Sequence, residues 1–386
     1  MKTKKAFSFP IILTLVLCGI FNLIAWKSTA FSDFYVDNIF PRLTSVYARI
    51  TSLAPFSVGE WLLVLVVIYV AAAVLFILLH TVFLGIYHFL SGKKESVKGV
   101  KKVLDSISDF FYRVTPILLA ITCVVMSLNC FVLYHTSKVP LYAEGESYDL
   151  QQLAELRDFV VKKCNELSKQ MPRDEKGNVA YEGNMTETAR RSVAALSDDY
   201  KRFDGYFSVP KDLYFSEFMC QQYMQGYYFP FSMEANINSK MAIMNKPFTM
   251  CHELAHTHGY IYEDEANFFG FLACIRSDDI VFQYSGWLGV LNYINNDFYR
   301  AVDKDVYNSH VKISDRVKFD NQFVTEDEWK EVEKKAVIKT ETVKKAADVF
   351  IDTNLKVNGV LEGKVNYTRV VGLIMDYYYH GPDSGV

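Results

Sequence analysis

Three stretches near the start of the chain restrict its fold more than any other feature. Ala6–Trp26 contains no charged residue, Trp61–Tyr87 is apolar apart from His80 and Thr81, and Thr115–Tyr134 is largely apolar apart from Asn129. About 20 apolar helical residues span the hydrocarbon of a bilayer, where every backbone polar group must be satisfied within its own segment. A soluble protein has little use for three such runs in its first 135 residues, so each is expected to be a membrane helix. Lys2, Lys4 and Lys5 ahead of the first run also suit a signal peptide. The run is long, however, and no clear small-residue cleavage site follows it, so it is read as an anchor.

Charge divides the chain at the same place. Up to Val139 there are 13 Lys and Arg against 6 Asp and Glu; from Pro140 onward there are 28 against 38. An acidic C-terminal part repels a phosphate backbone, which excludes nucleic acid as an expected partner. Six basic residues, Lys93, Lys94, Lys98, Lys101, Lys102 and Arg113, fall between the second and third runs, against three in the longer first loop. The positive-inside rule then places the N-terminus and this second loop in the cytoplasm, and everything after the third span outside it. The expected organisation is a cell-membrane anchor over 1–139, with spans at about 6–26, 61–87 and 115–134, and an extracytoplasmic domain over 140–386. Within the first loop, Val36–Leu53 has apolar residues at helical spacing, which suits either a helix lying on the membrane interface or an ordinary packing helix. The seven cysteines show no CxxC or CxxH spacing and read as small buried hydrophobes, with one disulfide open among Cys164, Cys220, Cys251 and Cys274.

The C-terminal part reads as α-rich α+β with a small sheet. Helices are expected over Leu150–Met171, Asn184–Lys201, Glu265–Ile275, Glu326–Asn354 and Val370–Tyr379, and the aromatic stretch Gly226–Ala235 is expected to form one or two strands. Phe231–Asn238 suits either an edge strand that pairs with an extended peptide or a buried strand.

The chemistry is carried by Met250-Cys251-His252-Glu253-Leu254-Ala255-His256. Imidazoles at i and i+4 share one helix face and can both reach a Zn²⁺ at about 2.0–2.1 Å, while Glu253 beside the first ligand is placed to act as general base toward water. Leu254 and Ala255 keep the intervening positions uncharged, and Gly259 ends the helix. A catalytic zinc needs a third protein ligand. The downstream acids Glu263 and Glu265 are the candidates.

HELAH followed by EDEAN, Glu263–Asn267, resembles the gluzincin pattern of the CaaX prenyl proteases and HtpX-type membrane proteases, with Asn267 where those families carry Asp. The metzincin pattern requires His or Asp where this chain has Tyr262. The gluzincin resemblance implies Glu263 as third ligand, because the ligand Glu there is followed four residues later by the acid that orients a ligand histidine. Asn267 would do so without a charge, and Glu265 stays as the alternative. Along nearly its whole length, through PFTMCHELAH, GYIYEDEANF, YSG at Tyr284–Gly286 and the NLKVNG and VNYTRVV tail, the chain is similar to a bacterial family of three-span membrane proteins with a zincin-like domain. Oxyanion stabilisation is expected from Tyr284, ahead of Arg276 and His258.

The function expected is zinc-dependent hydrolysis of a peptide or protein substrate at the outer face of the bilayer, with His252, His256 and Glu263 as ligands and Glu253 and Tyr284 as catalytic residues. The alternatives are a non-catalytic, metal-stabilised sensor or interaction domain and, on the strength of His80 and Asn129 within spans, a membrane scaffold or transporter.

Overall fold

The computed structural model describes residues 2–89, 94–141, 148–358 and 369–382. Lys93 of the basic loop, Tyr142 near the expected domain start and Val365–Thr368 of the tail motif lie outside them.

Three helices are long and apolar enough to cross a membrane, within α1 (Lys2–Lys27), α4 (Val58–Phe89) and α5 (Lys94–Met126), and they support a multi-pass membrane protein. The third reaches back further than expected. Helix α5 begins at Lys94, and the candidate span covers Gly99–His135 because a π-turn (Ser127–Phe131) and a 3₁₀ turn continue it. Such π-turns often mark positions where a side chain is re-aimed for a purpose. Here Asn129 in that turn donates to the Pro230 carbonyl at 2.7 Å, so this polar residue fastens the span to the domain. His80 stacks on Phe76 within its own helix.

The first loop folds into α2 (Thr29–Asn38) and α3 (Phe40–Thr51). One face of this segment packs against the rest of the molecule, while Val46, Tyr47, Ile50 and Leu53 stay exposed. Tyr35, Val36 and Phe40 are buried in a small core with Ala25, Val132 and Leu133 from the domain-side ends of two spans and Tyr228, Met233, Ile261 and Tyr262 from the domain.

The domain is α-rich, with α6 (Leu150–Leu167), α7 (Met185–Ala194), α8 (Ser216–Gln221), α9 (Lys246–Thr257), α10 (Glu263–Ile275), α11 (Ile280–Ala301), α12 (Lys304–Ser309), α13 (Asp315–Asp320), α14 (Glu326–Lys335), α15 (Thr340–Val357) and α16 (Arg369–His380). Local chemistry sets several starts. Asp149 closes a capping box with Gln152 at α6, Pro247 opens α9, three acids in the first turn of α10 oppose its dipole, and the Asp279 side chain takes the first amides of α11. The helix expected to reach Lys201 ends at Ala194 in a 3₁₀ turn, and the stretch expected as one helix over Glu326–Asn354 breaks between Lys335 and Thr340.

Three short strands, β1 (Lys211–Asp212), β2 (Gly226–Phe229) and β3 (Glu234–Ile237), form a sheet in the order β1-β3-β2, with β3 parallel to β1 and antiparallel to β2. Phe231–Asn238 is therefore not the edge. Its strand β3 is paired on both sides, and β2 is the edge beside α9.

Helix α9 sits at the centre, packed on α7, α10, α11 and both β2 and β3. Leu254, Cys251 and Ala255 are fully buried in the main core, and burying one leucine contributes about 1.5–3 kcal/mol. No disulfide forms among the described residues; Cys251 and Cys274 meet as thiols, 3.8 Å apart, between α9 and α10.

Candidate metal centre

Helix α9 must stop abruptly if α10 is to return along it. Gly259 adopts φ +89°, a left-handed conformation open to glycine, and a side chain there would meet Val36 of α2. Four residues on, α10 starts with Glu263, whose carboxylate now faces back toward α9. His252 Nε2 lies 3.1 Å from His256 Nε2 and 3.2 Å from Glu263 Oε2, and His256 Nε2 lies 3.8 Å from Glu263 Oε1. One atom from each residue falls within 4.8 Å of the others, so the three could hold a metal ion. The His256 Nδ1 lies 2.8 Å from the Tyr260 carbonyl, which fixes the ring with Nε2 as the free acceptor. Asn267, one turn beyond Glu263, is buried and perturbs the titration of both His252 and Tyr293.

Electrostatics agree with a site built around cationic charge. Burial works to raise the Glu263 carboxyl, but the His252 hydrogen bond and the two imidazoles hold it down at about 2. Burial pushes His256 down to about 4, keeping it neutral and available as a ligand. For His252 burial acts downward too, yet the Glu263 contact carries it above its ordinary value. Exposure is small: the side chains of His252, His256 and Glu263 are 12%, 6% and 28% accessible, so the group opens to solvent through its carboxylate.

Glu253 lies within electrostatic reach of His252 and Glu263. Burial raises its carboxyl to about 8, and Oε2 has no hydrogen-bond partner. The edge strand presses close: a Cβ at Gly226 would lie 2.4 Å from Glu253 Oε1, and the Tyr228 backbone amide interacts with the same carboxylate. A buried carboxyl oxygen without a partner is costly, and Glu253 Oε2 is one, on the same helix as the two histidines.

The remaining sequence candidates go elsewhere. Glu265 accepts the Val139 amide at 2.7 Å, tying α10 to the end of the third span rather than joining the histidines. Tyr284 is fully buried and its hydroxyl donates to Asp320, itself paired with Arg173. The oxyanion role expected of Tyr284 thus has no geometry to support it. Arg276 is paired with Asp199, and His258 is buried in a stack on Phe207. What sequence reasoning missed is Tyr293, on α11 near Glu263 and Asn267, where burial pushes the phenol up to about 12. Tyr293 follows Tyr284 by nine residues, half a turn around the same helix, and so lies on its opposite face.

A family model described as "Protein of unknown function (DUF3810)" matches residues 35–375. It names neither zincins nor the CaaX or HtpX-type proteases. Searches of the curated proteins and of the solved structures give no match.

Proposed function

Since the chain belongs to the DUF3810 family, whose description carries no chemistry, we propose from the geometry alone that it is a membrane-anchored zinc metallopeptidase. The observation that carries this reading is the convergence of His252, His256 and Glu263, with buried Glu253, whose Oε2 has no partner, next to the first of them in the same helix. Two imidazoles and one carboxylate are a donor set suited to Zn²⁺, which would supply Lewis acidity toward a scissile carbonyl and water. Glu253 takes the proton from the attacking water and returns it to the leaving amine. A carboxyl held near neutral pH is well matched to both transfers. The Tyr293 hydroxyl donates to the oxyanion of the tetrahedral intermediate. An extended peptide suits the substrate role because β2 pairs only with β3 and turns its other edge, with Gly226 and Tyr228, toward Glu253.

The test separates binding from turnover. In the purified full chain, Glu253→Gln should retain zinc, measured by elemental analysis, while peptide hydrolysis falls by about two to four orders of magnitude. Zinc content that fell in parallel would remove Glu253 from the role of base. The low exposure of the two histidines favours one second reading, a metal that stabilises a non-catalytic domain; zinc retained with no turnover on any peptide library would select it.

The same reading puts the domain outside the cytoplasm. The domain-side ends of all three spans meet α2, α3 and the sheet, so the basic segment Lys94–Arg113 begins on the opposite side. An impermeant thiol reagent applied to intact cells should modify a cysteine placed at Lys356 and not one at Lys102. The reverse pattern would invert the topology.

A further inference from the structure

We propose that a continuous rim of the domain, running from Tyr214 through α8 to the end of α15, lies in the headgroup layer of the bilayer, so that the domain rests flat on the membrane in addition to being tethered by its spans. This inference stands apart from the metallopeptidase reading and uses none of the residues of that site.

The rim is fixed at both ends to positions where spans leave the hydrocarbon. At one end, Glu60 in the first turn of α4 accepts the Tyr214 and Phe215 amides, each at 2.8 Å, and Trp61 packs against the Tyr214 ring at 6.4 Å. At the other, Leu355 is buried among Ala25, Val132 and Leu133 at the ends of the first and third spans, with Ile351 packed beside it. Between the two, Gln221 at the end of α8 donates to the Ile338 carbonyl and to Thr340 at the start of α15. Both ends of the rim thus sit at the depth where spans leave the hydrocarbon.

That depth decides what covers its apolar side chains. Tyr214, Phe215 and Phe218 are 73%, 44% and 51% exposed, and Val349, Phe350 and Val357 on α15 are 68%, 69% and 71% exposed. Clustered exposed apolar side chains mark a contact surface, and aromatic residues beside the ends of spans sit at headgroup level with one side in the acyl boundary. Helix α15 has the matching amphipathic build, with exposed Lys344, Lys345 and Lys356 flanking the apolar positions. A soluble partner would have to insert between this rim and the membrane that the spans already occupy. Lipid is the occupant that continuity with the spans requires.

The full chain, reconstituted in phosphatidylcholine vesicles carrying a diazirine in the headgroup-proximal acyl carbons, is photolysed and its lipid-labelled peptides are identified by mass spectrometry. Labelling of the spans reports successful reconstitution. Peptides covering Tyr214–Phe218 and Val349–Val357 should be labelled at least about fivefold above Lys304–Ser309, a helix with the exposed Val306 that has no tie to a span, because interfacial side chains sit at headgroup level. The exposed-site variants Phe218→Ser and Phe350→Ser should each lower the yield on their own peptide. Labelled spans with an unlabelled rim would overturn the proposal. A rim that instead crosslinks to a second copy of the chain would overturn it in favour of self-association.

Discussion

Two buried polar clusters, one on the sheet and one between α9 and α10, differ in one respect. At the corner where the sheet meets the second span, Lys211 of β1 gives its three protons to the Thr51 and Phe56 carbonyls and to Glu234 of β3. Glu234 in turn accepts the Val58 and Gly59 amides that open α4. Both residues are nearly inaccessible, and each finds a partner for its charge. At the α9–α10 pair the balance fails: two Nε2 atoms face one another, a carboxylate closes on them, and Glu253 keeps an oxygen without a donor. A cluster whose donors and acceptors all pair explains itself as structure. A cluster with surplus acceptors could hold a cation, and on that difference the proposed function rests.

The comparison breaks most visibly at Glu263. If the surplus acceptors exist to hold a metal, Glu263→Ala should lower zinc affinity in the full chain by more than about a hundredfold, beyond the 10–100-fold expected of a supporting residue. Glu265→Ala, whose carboxylate serves Val139, should leave the affinity within a few-fold. Zinc titrations of both variants decide the matter. Equal retention would mean that neither carboxylate is a ligand, and the opposite ranking would transfer the role to Glu265.

At the satisfied corner the expected loss is of folding and not of binding. Lys211→Met leaves Glu234 buried without its counter-charge, which costs about 3–5 kcal/mol when a buried pair is broken from one side. Thermal unfolding in detergent micelles should shift down markedly, while the zinc affinity of the folded fraction stays that of the parent chain. An unchanged unfolding temperature would show that water reaches this corner and that its polar groups are not the closed set described.

How much of this was legible depends on whether the information was local. The spans, HELAH, the stop at Gly259 and the return of Glu263 follow from spacing within one or two helices, and the structure places those residues as the spacing requires. The sheet order did not, because β1 and β3 are parallel neighbours separated by a long connection, and no pattern within Phe231–Asn238 reports that both of its sides are paired. Helix α11 was overlooked for a related reason. Val281, Phe282, Tyr284, Ser285, Gly286, Trp287 and Leu288 are buried in succession, so its first two turns are covered on all sides and show no amphipathic stripe. Periodicity could not single out Tyr293, since only the packing of α11 on α9 and α10 decides which of its faces meets Glu263 and Asn267. Glu60, Glu234 and Lys211 were unreadable for want of sequence proximity: their partners lie between 23 and 176 residues away.

The smallest effect tests the division between the two neighbouring glutamates of α10 under conditions in which no metal is bound. Burial raises the Glu265 carboxyl from its ordinary 4.5 to about 8, the Val139 amide opposing that shift only in part. A folded-state value above the unfolded one means that the folded protein holds its proton where the unfolded chain has released it. Its contribution to stability is therefore fully present below pH 4.5 and is lost as the pH rises toward about 8, after which it is level. Glu265→Gln keeps an oxygen for the Val139 amide and removes the titration. In chelator-treated protein, the variant should gain on the parent steadily between those two pH values, as read from unfolding temperatures, and should hold a constant margin above them. A parent and variant whose curves run parallel across the whole window would show that Glu265 is ionised in the folded protein. The buried tie between α10 and the third span would then need a cation of its own, and the contrast between Glu263 as ligand and Glu265 as fastener would be lost.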